Sequence, residues 1–329
     1  MPRVVGTDPG TSSLDLLLLV DGAVADQTRL TPTASPEMLL TVLDRWQPLD
    51  LIAGPSGYGL PLVQAVNLTD TDIDMLSLVR PDERGSEVGV GGFRRWVRAL
   101  AGSGLPVVFL PGGIHLPTIP QHRKVNTIDM GTADKVAVAA LAIHFDHGPG
   151  AFAVVEVGSV FTAVLVVDNG RITDVSAGTR GPLGLRSSGT WDGEVAYSHG
   201  SLQKNDLFRG GMDDLGELGP DAFRESLRRH VSGLQSITPF DRVTLSGSGL
   251  DRPDVARLIM AALSDLAEIA LLPTLPGAWV KHAAQGSALI ADGIAGGSHK
   301  HLIERLQLRA TSGTALDYLD PPGRRDVVR

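Results

Sequence analysis

The sequence predicts an α/β protein made of two like-built domains, each a mixed sheet flanked by helices. The first observation is a run of strand formers at residues 4–8, the bend Pro9-Gly10-Thr11-Ser12-Ser13, the apolar run 14–20, the turn Asp21-Gly22 and a third short run to Leu30. This reads as three antiparallel strands in a meander. The second is its recurrence: Ala153-Val154-Val155-Glu156-Val157-Gly158-Ser159, then residues 161–167, then Asp168-Asn169-Gly170. Asp8 lies fourteen residues before Gly22 and Glu156 fourteen before Gly170, and Gly10 and Gly158 each follow their acid by two. Self-similarity at one large offset indicates duplicated domains rather than a short-period solenoid. The boundary is expected at 145/146, giving domains 1–145 and 146–329.

The chemistry is expected in the bends. Pro9 has no donor and Gly10 can take positive φ, so the N–H groups of Gly10, Thr11, Ser12 and Ser13 can converge into an anion-binding nest. Asp8 beside such a nest repels phosphate, unless a Mg²⁺ with its waters lies between them. Two such bends could hold a nucleotide's phosphates and one metal between two acids.

Between the meanders, Ser35-Pro36-Glu37 starts a helix that runs to Trp46, with Pro at its first position. Residues 50–54 read as a buried strand. Pro55-Ser56-Gly57-Tyr58-Gly59-Leu60-Pro61 follows at its carboxyl end, and either lines a ligand cleft or is an ordinary connection. Residues 65–92 are irregular and polar, consistent with an insertion or a lid. A helix over 93–101, a strand over 106–110 and a covering loop over 111–117 come next. Gln121-His122-Arg123-Lys124-Val125-Asn126 is either a solvated loop or, with Lys135, a basic face toward an anionic substrate. Thr132 can cap a helix over 133–144, with Asp134 in its first turn.

In the second half, residues 178–189 place Arg180 and Arg186 among glycines, which suggests a loop shaped by close approach to a ligand. Asp192-Gly193-Glu194 reads as a helix start whose acids are solvated or touch metal or substrate. Asp206, Asp213 and Asp214 lack calcium-loop spacing. A helix over 220–234 carries Arg224, Arg228 and Arg229 on a solvated face. A strand over 241–245 leads into the bend Ser246-Gly247-Ser248-Gly249 and a helix over 254–264. Glycines there would let the backbone lie flat against an adenine or ribose. Residues 283–294 form a small-residue helix in which Gly286, about 1 kcal/mol worse than Ala, signals a close crossing. The tail from Pro321 is expected to fray.

With these motifs in order, the chain resembles the superfamily of acetate and sugar kinases, heat-shock-70 chaperones and actin. Asp8-Pro9-Gly10-Thr11-Ser12 looks like its first phosphate motif, Glu156-Val157-Gly158 with Thr162 like its second, and Leu245-Ser246-Gly247-Ser248-Gly249 like its adenosine motif. The stretch around Arg186-Ser187 and Gly189 resembles the loop of butyrate and acetate kinases that carries a substrate-facing arginine. The resemblance implies two ribonuclease H-like domains around an ATP cleft, with helices 133–144 and 283–294 crossing between the domains.

It further implies phosphoryl transfer from ATP to a small, anionic acceptor such as a short-chain carboxylate. Asp8 and Glu156 would hold Mg²⁺. Gly10, Thr11, Ser12, Gly158, Ser159 and Thr162 would hold phosphates, and Gly247, Ser248 and Gly249 the nucleoside. Arg186, with Arg180 or Lys124, would neutralise acceptor and transferring group. A hydroxyl acceptor would need a base, for which Asp134 or Asp192 are the candidates. The alternative is an ATP-binding regulator or activator ATPase of the same superfamily.

Composition sets the outer bounds. With 329 residues and 43 % hydrophobic content the chain can bury two cores. A net charge of −8 leaves no basic excess for nucleic acid or an anionic membrane. There is no cysteine, hence no disulfide, thiolate metal site or thiol nucleophile. Asp8 and Asp15 interrupt the apolar N-terminal run, and no stretch approaches the roughly 20 apolar residues of a membrane span. A soluble, cytoplasmic protein is expected, with a homodimer as one option for its assembly.

Overall fold

The structure is a computed structural model that describes residues 2–83, 90–146 and 148–320. Part of the expected lid at 65–92 and the tail from Pro321 lie outside the described residues. The chain divides into two compact units. The first takes the described residues up to Ile128, Thr132–Phe145 and those from Pro273 on; the second takes Asp129–Gly131 and Asp146–Leu272.

The first unit opens with the meander β1 (Arg3–Pro9), β2 (Leu14–Val20) and β3 (Ala23–Leu30). Asp21 and Gly22 both take positive φ, 54° and 78°, as a two-residue hairpin turn requires. Then come α1 (Pro36–Arg45), β4 (Leu51–Gly54), β5 (Val63–Gln64), α2 (Asp70–Ser77), α3 (Val90–Gly102), β6 (Val107–Phe109), α4 (Gln121–Lys124) and α5 (Ala133–Phe145). The sheet order is β3-β2-β1-β4-β6-β5, with β4 and β6 added parallel to β1. Leu39, Leu43, Trp96, Val97 and Phe109 from the helices and strands pack into one core with Val5, Leu16 and Leu18. Helix α2, in a segment too polar to announce itself, is held at its start by reciprocal Thr69 and Asp72 bonds.

The second unit repeats the plan. Strands β7 (Ala151–Val157), β8 (Thr162–Asp168) and β9 (Arg171–Ser176) form the meander. Asn169 and Gly170 take positive φ, 51° and 71°, at the matching turn. Helices α6 (Gly193–His199) and α7 (Gly219–Ile237) precede β10 (Arg242–Ser246), α8 (Pro253–Leu263) and β11 (Glu268–Leu271). The order is β11-β10-β7-β8-β9, with β10 and β11 parallel to β7. The likeness extends to an irregularity: the register shifts between Leu18 and Leu19 in β2 and between Val166 and Val167 in β8, at the same point of each second strand. With the short β5 set aside and consecutive helices counted as one, both units run strand-strand-strand-helix-strand-helix-strand. The short, mostly exposed β11 was not expected from the sequence.

The chain then returns to the first unit with α9 (His282–Ile294) and α10 (Lys300–Arg305). This departs from the expected division, in which everything after 146 belonged to the second domain. The reason is packing: a Cβ on Gly6 of β1 would stand 2.1 Å from the Ala288 nitrogen and 2.3 Å from the Ala284 carbonyl oxygen. Helix α9 thus lies backbone to backbone on β1. It also crosses α5, where a Cβ on Gly286 would come 1.8 Å from the Ala137 carbonyl oxygen. Nearly all of both helices is buried, which accounts for their Ala-rich composition.

Gly286→Ala tests that crossing. The roughly 1 kcal/mol that Ala gains over Gly in a helix is outweighed by a methyl group overlapping a backbone carbonyl, where overpacking costs about 1–3 kcal/mol or more. Thermal denaturation is expected to show a clearly lower melting temperature for the variant.

Candidate functional site

Asp8 is the next-to-last residue of β1, and the antiparallel register places it directly opposite Asp15 of β2. Two buried carboxylates paired across a ladder repel each other, so each needs its own compensation. Asp15, fully buried, accepts hydrogen bonds from Ser13 Oγ at 2.6 Å, from Arg29 through Nε and a terminal nitrogen at 2.8–3.1 Å, and from the Lys281 backbone N–H at 3.0 Å. Burial raises its pKa, but these bonds outweigh burial and hold it below the usual carboxylate range.

Asp8, 5 % exposed, has weaker support. Lys281 Nζ stands 3.8 Å from Asp8 Oδ2 and 3.9 Å from Asp15 Oδ1. Burial dominates, the Lys281 and Lys135 charges only partly offset it, and the carboxyl is pushed up to about 7. The Asp134 charge also raises it. Asp134 itself bonds Lys135 Nζ at 2.7 Å and accepts a short bond from Thr132 Oγ1. Burial raises its pKa too, but the Lys135 charge and these bonds prevail and hold it low.

The first unit therefore brings Asp8, Asp134 and Gly10 together, and adds two cations. Thr11 and Ser12 are exposed at the tip of the bend. Lys281 was not foreseen: it lies 273 positions from Asp8 in the chain, and only the docking of α9 on β1 brings it there. Lys124 faces the other way. Its ammonium is buried, donates to the Leu116 carbonyl at 2.8 Å and lies over the Tyr318 ring, so it is enclosed by protein rather than presented to a substrate. Of the loop 55–61, Gly57 and Gly59 have positive φ, and a Cβ on them would meet the Leu76 carbonyl and the Gly112 nitrogen. Their smallness serves contacts within the unit.

In the second unit Glu156 is buried near the end of β7, and β10 sets Ser246 beside it in parallel register. Gly158 N–H closes the bend on the Phe161 carbonyl at 2.9 Å, and Ser159 is half-buried there. Thr162 is fully buried, and among the described residues its Oγ1 finds no hydrogen-bond partner.

The loop Gly247-Ser248-Gly249 follows β10. A Cβ on Gly247, whose φ is 104°, would lie 2.2 Å from the Val157 carbonyl oxygen, and one on Gly249 2.6 Å from a Val157 methyl. The expected reason for these glycines was room for a nucleoside; what they touch is the end of β7. Arg186 is exposed, and its loop is fastened to the β7–β8 bend by the Arg186 and Ser187 N–H groups, both bonding Val160 O at 3.2 Å. The second unit thus gathers Glu156, Gly158, Ser159, Thr162, Arg186 and the 247–249 loop at one end of its sheet. Arg180 is exposed near His230, whose pKa is lowered by burial and by that arginine. Asp192 accepts the Glu194 N–H at 2.9 Å, as a helix-capping acid does.

Among the described residues no group of three or more His, Cys, Asp or Glu side chains is placed to hold a metal ion. The donors suit a hydrated magnesium ion, which keeps several waters and takes one or two carboxylates with phosphate oxygens. The buried, under-compensated Asp8 carboxylate is the group in the first unit that such a cation would relieve. No helix among the described residues is long and apolar enough to cross a membrane.

The family model described as protein of unknown function (DUF1464) matches residues 6–320. A comparison with curated proteins finds no match. Among solved structures, acetate kinase from Porphyromonas gingivalis is similar with a TM-score of 0.59 at 13 % identity, over 89 % of this chain and 100 % of that one. A propionate kinase from Francisella tularensis subsp. tularensis SCHU S4 gives 0.57 at 13 %, over 88 % and 98 %. Acetate kinase from Entamoeba histolytica gives 0.55 at 13 %, over 80 % and 87 %. At this identity the likeness is one of fold: the two-domain, actin-like ATPase architecture that the resemblance implied.

The incomplete charge compensation of the buried Asp8 is testable in metal-free buffer. Its folded pKa is raised from 3.8 to about 7, so the folded state holds a proton that the unfolded state has released between those values. Wild type is expected to lose stability relative to Asp8→Asn as pH rises from about 4 to 7, the difference levelling off above 7. Denaturant unfolding at a series of pH values measures it; a pH-independent difference would refute the assignment.

Proposed function

The chain belongs to the family described as protein of unknown function (DUF1464), and we propose that it is an ATP-dependent small-molecule kinase that phosphorylates a short-chain carboxylate to an acyl phosphate. The observation that carries this reading is the duplicated acid at the end of a first strand: Asp8 on β1 and Glu156 near the end of β7, each followed by an open Gly-containing bend in a meander of the same build. The fold shared with acetate and propionate kinases supports it.

In this reading Asp8 and Glu156 would each offer a carboxylate to hydrated Mg²⁺, which would supply charge neutralisation at the phosphoryl oxygens. The N–H groups and hydroxyls at Gly10, Thr11 and Ser12, and those at Ser159, bind phosphates, while Gly158, whose own N–H is taken by the Phe161 carbonyl, leaves that bend without a side chain. The 247–249 loop receives the nucleoside. Its glycines act through the fit against Val157, which sets the height of the loop above β7. Arg186, exposed on a loop bonded to the second bend, pairs with the acceptor carboxylate and the moving phosphoryl group. Arg180 stands by as a second cation. Little covalent chemistry is asked of the protein beyond in-line positioning and charge stabilisation.

The state of Asp134 supports a carboxylate acceptor over one that uses this residue as a base. A hydroxyl acceptor wants a base with a pKa near the working pH, and Asp134 is held below the carboxylate range by Lys135 and Thr132. A carboxylate acceptor is already ionised and needs no base.

A coupled ATPase assay with hydroxylamine trapping of acyl phosphate, run over short-chain acids and alcohols, tests the proposal. Acid-dependent turnover with trapped product is expected. In Arg186→Ala turnover should fall roughly hundredfold, the scale of losing one charge-stabilising group, with ATP affinity within about twofold of wild type. Hydrolysis that ignores every acceptor would favour the regulator ATPase instead.

A further inference from the structure

Lys281 has a setting that the kinase reading leaves unused. It is the residue before α9, and its backbone N–H is fixed on Asp15 at 3.0 Å. Its ammonium extends into the first bend: a Cβ on Gly10 would stand 2.4 Å from Nζ, so the missing side chain at that position is what gives the ammonium room. Asp15 does not need this charge, because Arg29, Ser13 and the Lys281 N–H already satisfy it. The ammonium lies 3.9 Å from Asp15 and helps to hold it low, but Asp8, which among the described residues has no guanidinium of its own, depends on it more, at 3.8 Å. That distance is an ion pair without a tight hydrogen bond, and the side chain is 24 % exposed. An ammonium held by charge alone, on a flexible stem with an outlet to solvent, can leave.

We propose that Lys281 is the resident counter-cation of Asp8, and that it bars a bare divalent metal from that carboxylate until a phosphate group arrives to take over the ammonium. The inference rests on the reading of Asp8 as the metal-side acid, and it adds an order of events. Two like-charged groups within about 4 Å compete for one anion, and at an effective dielectric of about 20 their repulsion exceeds thermal energy several-fold. A metal–polyphosphate complex brings its own anions, so ammonium and metal no longer share a single carboxylate. The bend thus discriminates between free metal and metal already bound to a phosphate chain.

The test measures Mn²⁺ binding by electron paramagnetic resonance, on the full chain without nucleotide and at one ionic strength. The proteins are wild type, K281M, K281Q, K281R and the double variant D8N/K281M. K281M and K281Q are expected to bind Mn²⁺ on the order of tenfold or more tightly than wild type, the scale of removing one adjacent unit charge. K281R should behave as wild type, and D8N/K281M should lose the gain.

Equal affinity in wild type and K281Q, a gain that survives in D8N/K281M, or no measurable Mn²⁺ binding by any variant would each overturn the proposal. K281Q keeps polarity on a side chain one atom shorter should K281M fail to fold, and K281R separates charge from packing, since a purely structural lysine would not sort the variants by charge. Mg·ATP binding to wild type, measured in parallel by calorimetry, separates the two readings. A wild type that ignores Mg·ATP while K281Q gains Mn²⁺ refutes the kinase and leaves the counter-cation standing. The reverse pattern does the opposite.

Discussion

The close approach of backbone to backbone around β1 is the constraint on which the first unit depends. Gly6 admits α9 onto the strand and Gly286 admits α5 onto α9; with any larger residue the helices would stand off by the thickness of a side chain. That spacing has a chemical result. Asp8 is next to last in β1, α5 begins at Ala133 and α9 at His282, so the first turns of both helices deliver Asp134, Lys135 and Lys281 to one buried carboxylate. Packing and electrostatics are the same fact seen at two scales.

The second unit reaches a comparable arrangement by other means. Around Glu156, loops are fastened to the end of the sheet by main-chain contacts. Gly184 has the Val160 carbonyl where its Cβ would be, at 2.0 Å, and Gly211 meets the backbone of Arg186 at 2.4–2.5 Å. Arg252, which follows the 247–249 loop, grips Asp213 and Asp254, so that loop is tied to the segment bonded to Arg186. Duplication thus preserved the strands and even the irregular register, while the surroundings of the two acids diverged.

What was legible in the sequence is what local patterns encode. Runs of strand-forming residues and Asp-Gly or Asn-Gly turns announced both meanders, Ser35-Pro36 announced α1, and the small-residue run around Gly286 announced a crossing. What was hidden is what only long-range contact encodes. Lys281 carries no motif, β11 is short and partly solvated, and Lys124 looked like a surface cation because a basic tetrapeptide says nothing of the Tyr318 ring that covers it. The glycines at 247 and 249 were found for a reason that differs from the contact they make. A glycine marks crowding without saying by what.

The return of the chain to the first unit bears on how the polypeptide is made. The second unit closes within one nearly continuous stretch, Asp146–Leu272, so its core is complete soon after synthesis passes β11. The first sheet is translated earlier yet lacks the helix that covers β1 until residues 282–294 emerge. During that interval the older half must wait on the younger with an apolar strand uncovered. In biosynthesis the half that begins the chain is therefore the half that finishes last.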